Sequence, residues 1–509
     1  MRERLVPAVL TPAVLIVAWQ LSVWAGLFDF RYLPSPADIA ISMGAQMRDG
    51  ALTAAVGHTL SVTAAAGALA LVVGTVFGVG LGLAPGARAW AEASIDVFRT
   101  VPAIMLIPVA VLTFGPSAGT VVVLAGYAAL WPMVLNTAGA VTSVHPLQID
   151  VARTLHLRRL ATLRKIVLPA SAPVWLVGAR MSAILALLVT IVVEMVITPK
   201  GLGGAMVQAL NALDPARMWA YAVVCGLIGT LVNLGFRAAY RALLPGHPST
   251  IVSAPVTRAP VPALRGLLPL AAFLALWQVC GQPTSLSLPP PSQWFTALNK
   301  LMADGSLTPA IGHTLTTYLS GLALAAVVGG SVGAVIGASQ PVNRALSPTL
   351  DFLAAIPGAA LVPVLVLLLG PNVVSGIVAV ATVVTWPIML STAAARRAIL
   401  PVRLDVSRTI GLSPRRRWCK VVLPSLAPGM LLGMRVASSV ALIIALLTDI
   451  FGSGAGIGRL LIVSQQHFDA AAAWGLLLVV GCIGYLSNVA LAAATRVFSA
   501  GIRQVASAG

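Results

Sequence analysis

Moving 255 residues along this 509-residue chain returns the same residue at place after place. Pro34 pairs with Pro289, His58 with His313, Asp96 with Asp351, Trp131 with Trp386, Arg153 with Arg408 and Pro169 with Pro424. Arg180 pairs with Arg435, Gly201 with Gly456, Trp219 with Trp474 and Asn233 with Asn488. One constant offset leaves little room for insertions, so each half must be able to adopt the fold of the other. The stretch "LLPGHPSTIVSAPVTRAPVPALR", rich in Pro, Ser and Thr, reads as a linker over 243–265. It separates a first repeat, 1–242, from a second, 266–509.

What each half can be follows from its hydropathy. The chain is 58% hydrophobic and only 9% charged, with a mean hydropathy of +0.95, too little charge to cover a water-soluble surface. Its apolar stretches are long enough to cross a bilayer as helices, and the alternating segments of a membrane barrel are missing. The expected class is therefore an all-α integral membrane protein of two parallel six-helix repeats, about 12 spans in all. In the first half the spans are placed near 6–26, 54–84, 103–114, 119–141, 171–197 and 219–240. In the second they fall near 265–281, 310–338, 359–369, 373–395, 425–450 and 471–495. An even number per repeat returns the chain to one side, so the halves relate by an axis along the membrane normal.

The formal net charge of +18 is local. Five bases (Arg153, Arg158, Arg159, Arg164, Lys165) fall in one segment between spans, and eight in its counterpart from Arg396 to Lys420. Basic loops of this kind mark the cytoplasmic side, which puts both termini and the linker there. No aromatic-basic platform accompanies them, so nucleic acid is not an expected partner. The four cysteines are scattered without metal or disulfide spacing. The apolar start reads as a retained span, not a cleaved signal.

Glycines step along one face of the second span in each half: Gly74, Gly78, Gly82 and Gly329, Gly333, Gly337. That spacing lets helix backbones approach closely, so these residues are assigned to helix packing. Few ionisable residues fall inside the spans. Arg180 and Arg435 lie in the fifth spans and Glu194 and Asp449 near their outer ends, which makes them candidates for a translocation pathway. His58 and His313 stand at the start of the second spans, where a helix-entry or packing role is expected.

The basic segments share more than charge. "DVARTLHLRRLATLRKIVLP" (150–169) and "DVSRTIGLSPRRRWCKVVLP" (405–424) each run into an apolar helix through Leu-Pro. Proline suits a first helical turn, where its missing N–H is not needed. The spacing resembles the "EAA" loop of ABC importer permeases: Glu-Ala-Ala, three residues, Gly, nine residues, Ile, one residue, Leu-Pro. The first copy supplies Asp150-Val151-Ala152, His156, Ile166 and Leu168-Pro169; the second supplies Asp405-Val406-Ser407, Gly411, Val421 and Leu423-Pro424. "LPSPADI" and "LPPPSQW", "WPMVLNT" and "WPIMLST", and "GARM" and "GMRV" are also similar to the nitrate, sulfonate and taurine branch of that family. Asp replaces the motif's Glu twice, and His156 replaces its Gly once, a change expected to shift that turn.

The resemblance implies a transport subunit that is not itself an enzyme. Each loop would form a coupling helix seated on a cytoplasmic ATPase, with Asp150, Ala152, Arg153, His156, Leu168 and Pro169 in one contact. Asp405, Ser407, Arg408, Gly411, Leu423 and Pro424 would form the other. The chain carries no phosphate-binding loop, so ATP and Mg would be bound by two partner ATPase subunits. The other implied partners are an extracytoplasmic solute-binding protein and the lipid bilayer. The cargo implied is a small anion, with a thiamine precursor, glycine betaine or bicarbonate as alternatives. A secondary transporter is the rival class, and it would need coupling ions held at mid-membrane.

Overall fold

The computed structural model describes residues 2–26, 32–198, 200–245, 266–283, 285, 287–339, 341–343, 346, 349, 350, 353 and 358–507. Most of the linker, and Asp351, lie outside them. The first repeat runs α1 (Arg2–Trp24), α2 (Pro36–Arg48), α3 (Ala51–Leu83), α4 (Pro85–Thr100), α5 (Ile107–Phe114) and α6 (Ala118–Thr142). It continues through α7 (Pro146–Thr154), α8 (Arg159–Thr162), α9 (Leu168–Ile197), α10 (Gly201–Asn211) and α11 (Pro215–Leu243). The second repeat follows the same order with α12 (Leu268–Cys280), α13 (Pro291–Ala303), α14 (Leu307–Ala338), α15 (Leu361–Leu369) and α16 (Val373–Arg397). It closes with α17 (Pro401–Thr409), α18 (Pro414–Arg417), α19 (Leu423–Thr448), α20 (Ile457–Gln466) and α21 (Ala470–Ser507).

Among the described residues, eight helices are long and apolar enough to cross a membrane. At the other expected places lie α1, apolar over Ala13–Trp24, and the shorter Leu268–Cys280 and Gly358–Leu369, while α4 and the segment through α5 form a pair bent by 75°. The two six-helix repeats expected from sequence are thus in place, eight of their helices long enough to cross alone among the described residues. The third of the six is the shortest in each repeat. The 8 residues of α5 and the 9 of α15 rise only about 12–14 Å, well under a bilayer core. With the 3-10 turn ahead of each, they fill 103–114 and 358–369, close to the bounds expected from hydropathy.

The glycine faces decide how each half packs. On α3, a Cβ at Gly74 would fall 2.7 Å from the Cβ of Met133, at Gly78 2.5 Å from that of Thr137, and at Gly82 2.6 Å from that of Val141. The second half repeats the register: Gly333 and Gly337 face Thr392 and Arg396 on α16. With no side chain between them, α3 and α6 (and α14 and α16) approach until dispersion contacts are made along their length. The two repeats meet through their short helices, α5 against α20 and α21, and α15 against α10 and α11. One buried apolar core holds residues of both repeats, including Ile107, Leu124, Val192, Leu446 and Leu461. In addition α12 reaches across to the first repeat, where the Ser94 hydroxyl donates to the Gly266 carbonyl at 2.7 Å.

Candidate functional site

Three features stand out, two repeated in each half and one between the halves. The first is the pair of basic segments. Each forms a short helix ended by a left-handed turn. The Leu157 N–H donates to the Ala152 carbonyl at 3.0 Å and the His156 N–H to that of Arg153 at 3.0 Å. Leu412 and Gly411 make the same bonds to Ser407 and Arg408, at 3.1 and 3.0 Å. This is the helix-ending motif that requires a residue at positive φ, normally glycine. Gly411 sits at φ 68° and His156 at φ 51°. The histidine therefore keeps the turn in place, contrary to the shift expected from sequence, and its Nδ1 lies 2.9 Å from the Thr154 carbonyl oxygen.

Arg153 and Asp150 form an ion pair at 3.0 Å, Arg408 and Asp405 one at 3.1 Å, all four side chains well exposed. Ala152 and Ser407 turn inward and are buried. The sequence reading missed what lies between the charges. Leu147, Val151 and Leu155 form an outward stripe at four-residue steps on α7, and their counterparts Val402, Val406 and Ile410 do so on α17, each 47–68% exposed. The 255-residue offset held the signal, since an apolar residue recurs at all three pairs. Two such stripes ringed by charge have the composition of a helix face that another protein covers.

Leu168 and Pro169 do not start a separate helix. The chain passes from Arg159 to Ile197 as one apolar helical unit with a π-helical turn, Leu163–Val167, just before the dipeptide. The Leu168 N–H donates to the Leu163 carbonyl, five residues back, and Pro169 follows with no N–H to place. The second repeat does the same at Trp418–Val422 ahead of Leu423-Pro424. A wide turn opens room for the proline ring that a regular turn denies. The base of α19 is also where α17 is anchored, through Ile399 and Leu404 packed with Val422 and Leu426.

The second feature is a pair of buried carboxylates. Glu194 on α9 and Asp449 at the end of α19 are fully buried. The Thr59 hydroxyl stands 2.8 and 3.0 Å from the two oxygens of Glu194, and His58 Nδ1 lies 3.1 Å from Oε1. The Gly203 N–H donates to Oε2 at 3.2 Å, and Thr59 accepts the Leu202 N–H at 2.8 Å. Asp449 repeats every bond with Thr314, His313, Gly458 and Ile457. Gly201 and Gly456, at φ 80° and 91°, bring the chain so close to each carboxylate that a Cβ there would collide with it. Glu194 and Asp449 tie α9 and α19 to the next helix; they do not line the cavity described next.

Third, the interface is closed at one end and open at the other. Beside the carboxylates, Met105, Ile107 and Val196 meet Leu446, Ile450 and Leu461 around a residual space of about 10 Å³, a single water at most. At the end bearing the basic segments, α3, α4 and α6 with Arg435 of α19 enclose a cavity of about 410 Å³. Arg435 Nε donates to the Asn488 side-chain oxygen at 2.8 Å. Its twin Arg180 is half-buried on α9 and is not part of that wall. Asn233, the twin of Asn488, has its Oδ1 buried with no hydrogen-bond partner among the described residues.

Comparison with known proteins places this architecture. The family of binding-protein-dependent transport system inner membrane components matches the chain twice, at residues 70–246 and 323–504. The chain is 26% identical over 253 residues to the bicarbonate transport system permease protein of a Synechocystis strain, covering 47% of this chain and 89% of that protein. It is 27% identical over 242 residues to the Escherichia coli taurine transport system permease protein, covering 47% and 88%. A Synechocystis nitrate import permease protein is 26% identical over 204 residues, 38% of this chain and 74% of its own. Each relative matches less than half of the chain.

Proposed function

The chain belongs to the binding-protein-dependent transport system inner membrane component family, with two permease units in one polypeptide, and we propose how it works. As an ABC importer permease it spans the membrane many times. One copy supplies both halves of the transmembrane passage and seats two ATPase subunits, one on α7 and one on α17. ATP is hydrolysed in those subunits, and a separate solute-binding protein delivers the cargo to the opposite face. The basic segments, and with them the open end of the interface, face the cytoplasm.

The observation that carries this reading is the doubled coupling element: a capped helix with an exposed apolar stripe, anchored on the base of a long helix that reaches the interface between repeats. A push on α17 passes through Ile399 and Leu404 to the foot of α19, the helix that holds Arg435. The sealed outer end and open inner end then describe the cytoplasm-facing state of an alternating-access cycle. The cargo is a small anion of the sulfonate, nitrate or bicarbonate kind. The names of the relatives and the excess of arginine at the open end support that class.

The test is reconstitution of the purified chain with its ATPase and binding protein in proteoliposomes. ATP-dependent uptake of labelled taurine, nitrate or bicarbonate is expected, from a complex whose mass fits one permease chain and two ATPases. A complex requiring two permease chains, or uptake that proceeds without ATP on a sodium or proton gradient, sinks the reading.

A further inference from the structure

The described parts of the two repeats share one order of elements, but their sequences differ in charge at the positions of α4. Helix α4 carries Arg88, Glu92, Asp96 and Arg99 on the cavity wall. The residues 255 positions on are Asn343, Ser347, Asp351 and Ala354, so both arginines and the glutamate have no charged counterpart. Arg435, from the other repeat, completes the wall. Among the described residues of the wall three bases face two acids, a formal excess of one positive charge. Among the described residues the charge gathers at this one chamber.

The geometry of the bases suits an oxyanion. Asp96 holds Arg99 Nε at 2.7 Å, and Asn488 holds Arg435 Nε at 2.8 Å. Each guanidinium is thus fixed through Nε, and the Nη nitrogens of Arg435 have no acceptor among the described residues. A fork fixed in this way presents paired N–H donors to a planar or trigonal oxyanion, which a lysine would not. The space, about 410 Å³, takes a small solute together with water. Arginines so placed inside a membrane protein mark a path for charge.

We infer that this cavity is an asymmetric binding site for a monovalent oxyanion, a sulfonate, nitrate or bicarbonate, with Arg99 of the first repeat and Arg435 of the second as its donors. The inference rests on the importer reading above for its place in the cycle, where it is the last stop before release. It implies that the two repeats have divided their labour: both couple to ATPases, while the solute meets a site with charge from both but symmetry from neither.

The test uses the full chain in lipid nanodiscs, titrated with sodium methanesulfonate, sodium nitrate or sodium bicarbonate against sodium chloride of equal ionic strength. Trp131, stacked on Phe98 at a 6.5 Å centroid distance beside Arg99, provides a fluorescence reporter. A saturable response to at least one oxyanion is expected, weakened at least tenfold in the Arg99→Gln, Arg435→Gln double variant. Arg459→Gln, a base outside the cavity, should leave it unchanged. Should the double variant fail to fold, single Arg→Lys variants at 99 and 435 keep the charge and should still lose several-fold. No saturable response to any of the three, equal affinity in the double variant, or equal loss in Arg459→Gln overturns the site. ATP-driven uptake by the wild-type transporter without such binding sinks the site alone. Binding without uptake sinks only the importer reading.

Discussion

The imidazole of His58 stands 3.1 Å from the carboxylate of Glu194, 136 residues away in sequence, and His313 and Asp449 repeat the contact at 3.1 Å. In each repeat the histidine and a threonine on the second span hold a carboxylate on the fifth, and that carboxylate also takes an N–H from the helix that follows. Glutamate is one methylene longer than aspartate. The second repeat meets the shorter reach with a π-helical end to its helix, Asp449–Ser453, where the first continues as a regular helix to Ile197.

The threonines are central to this tie, since each donates to the carboxylate and accepts a backbone N–H. Thr59→Val keeps the shape and leaves the Leu202 N–H and one carboxylate oxygen short of a partner. A loss of about 1–3 kcal/mol is expected, the usual effect of stranding buried polar groups. Denaturation of the detergent-solubilised protein measures it. Thr59→Ser, which keeps the hydroxyl, should recover most of the loss; a Val variant as stable as wild type would remove the tie from the account.

Neighbouring glycines on α3 should behave in opposite ways. At Gly78 a Cβ would meet Thr137 Cβ at 2.5 Å and the Val134 carbonyl at 2.8 Å, while at Gly80 nothing lies within 4 Å. Gly78→Ala must push α3 off α6, at a typical overpacking cost of about 1–3 kcal/mol. Gly80→Ala meets no clash and should stabilise the helix by about 0.5–1 kcal/mol. Unfolding midpoints of the two variants check the contrast. A similar loss in both would mean that the interface is not set by glycine contact.

The duplication and the helical membrane fold were legible because both are periodic: one offset, one hydropathy scale. The short third helices were legible too, expected at 103–114 and 359–369 and ended there by Gly115 and Gly370, each at positive φ. The two basic segments stood out by their spacing, whereas their apolar stripes were hidden among charges. Glu194 and Asp449 drew notice as intramembrane charges. Their partners, contributed by residues more than 130 positions away and by backbone N–H groups, leave no mark in local sequence. The cavity drew on divergence: Arg88, Glu92 and Arg99 are where the copies cease to match.

The exposed stripes on α7 and α17 should matter more to coupling than the charges beside them. Arg153 and Arg408 each pair with an aspartate one turn away on the surface, contacts worth well under about 1 kcal/mol to folding. Arg153→Glu with Arg408→Glu should lower substrate-stimulated ATP hydrolysis while leaving the permease folded. Val151→Asp with Val406→Asp puts charge at the centre of both stripes and should lower it by about tenfold or more, the scale of losing a buried interface anchor. Full hydrolysis in the Val double variant would show that the ATPases sit elsewhere.

The turn that ends α7 and α17 yields the sharpest contrast between the repeats. His156 occupies φ 51° where Gly411 occupies φ 68°. A side chain in this region costs about 1–2 kcal/mol, which the Nδ1 contact to Thr154 offsets in part. His156→Gly should therefore keep the turn and leave ATPase coupling at the wild-type level. Gly411→Val places a β-branched residue where the backbone requires a left-handed turn, with no compensating contact. That variant should unwind the end of α17 and reduce coupling, measured as stimulated ATP hydrolysis in proteoliposomes. If His156→Gly falls as far as Gly411→Val, the imidazole itself touches the ATPase, and the two couplings differ in chemistry as well as in position.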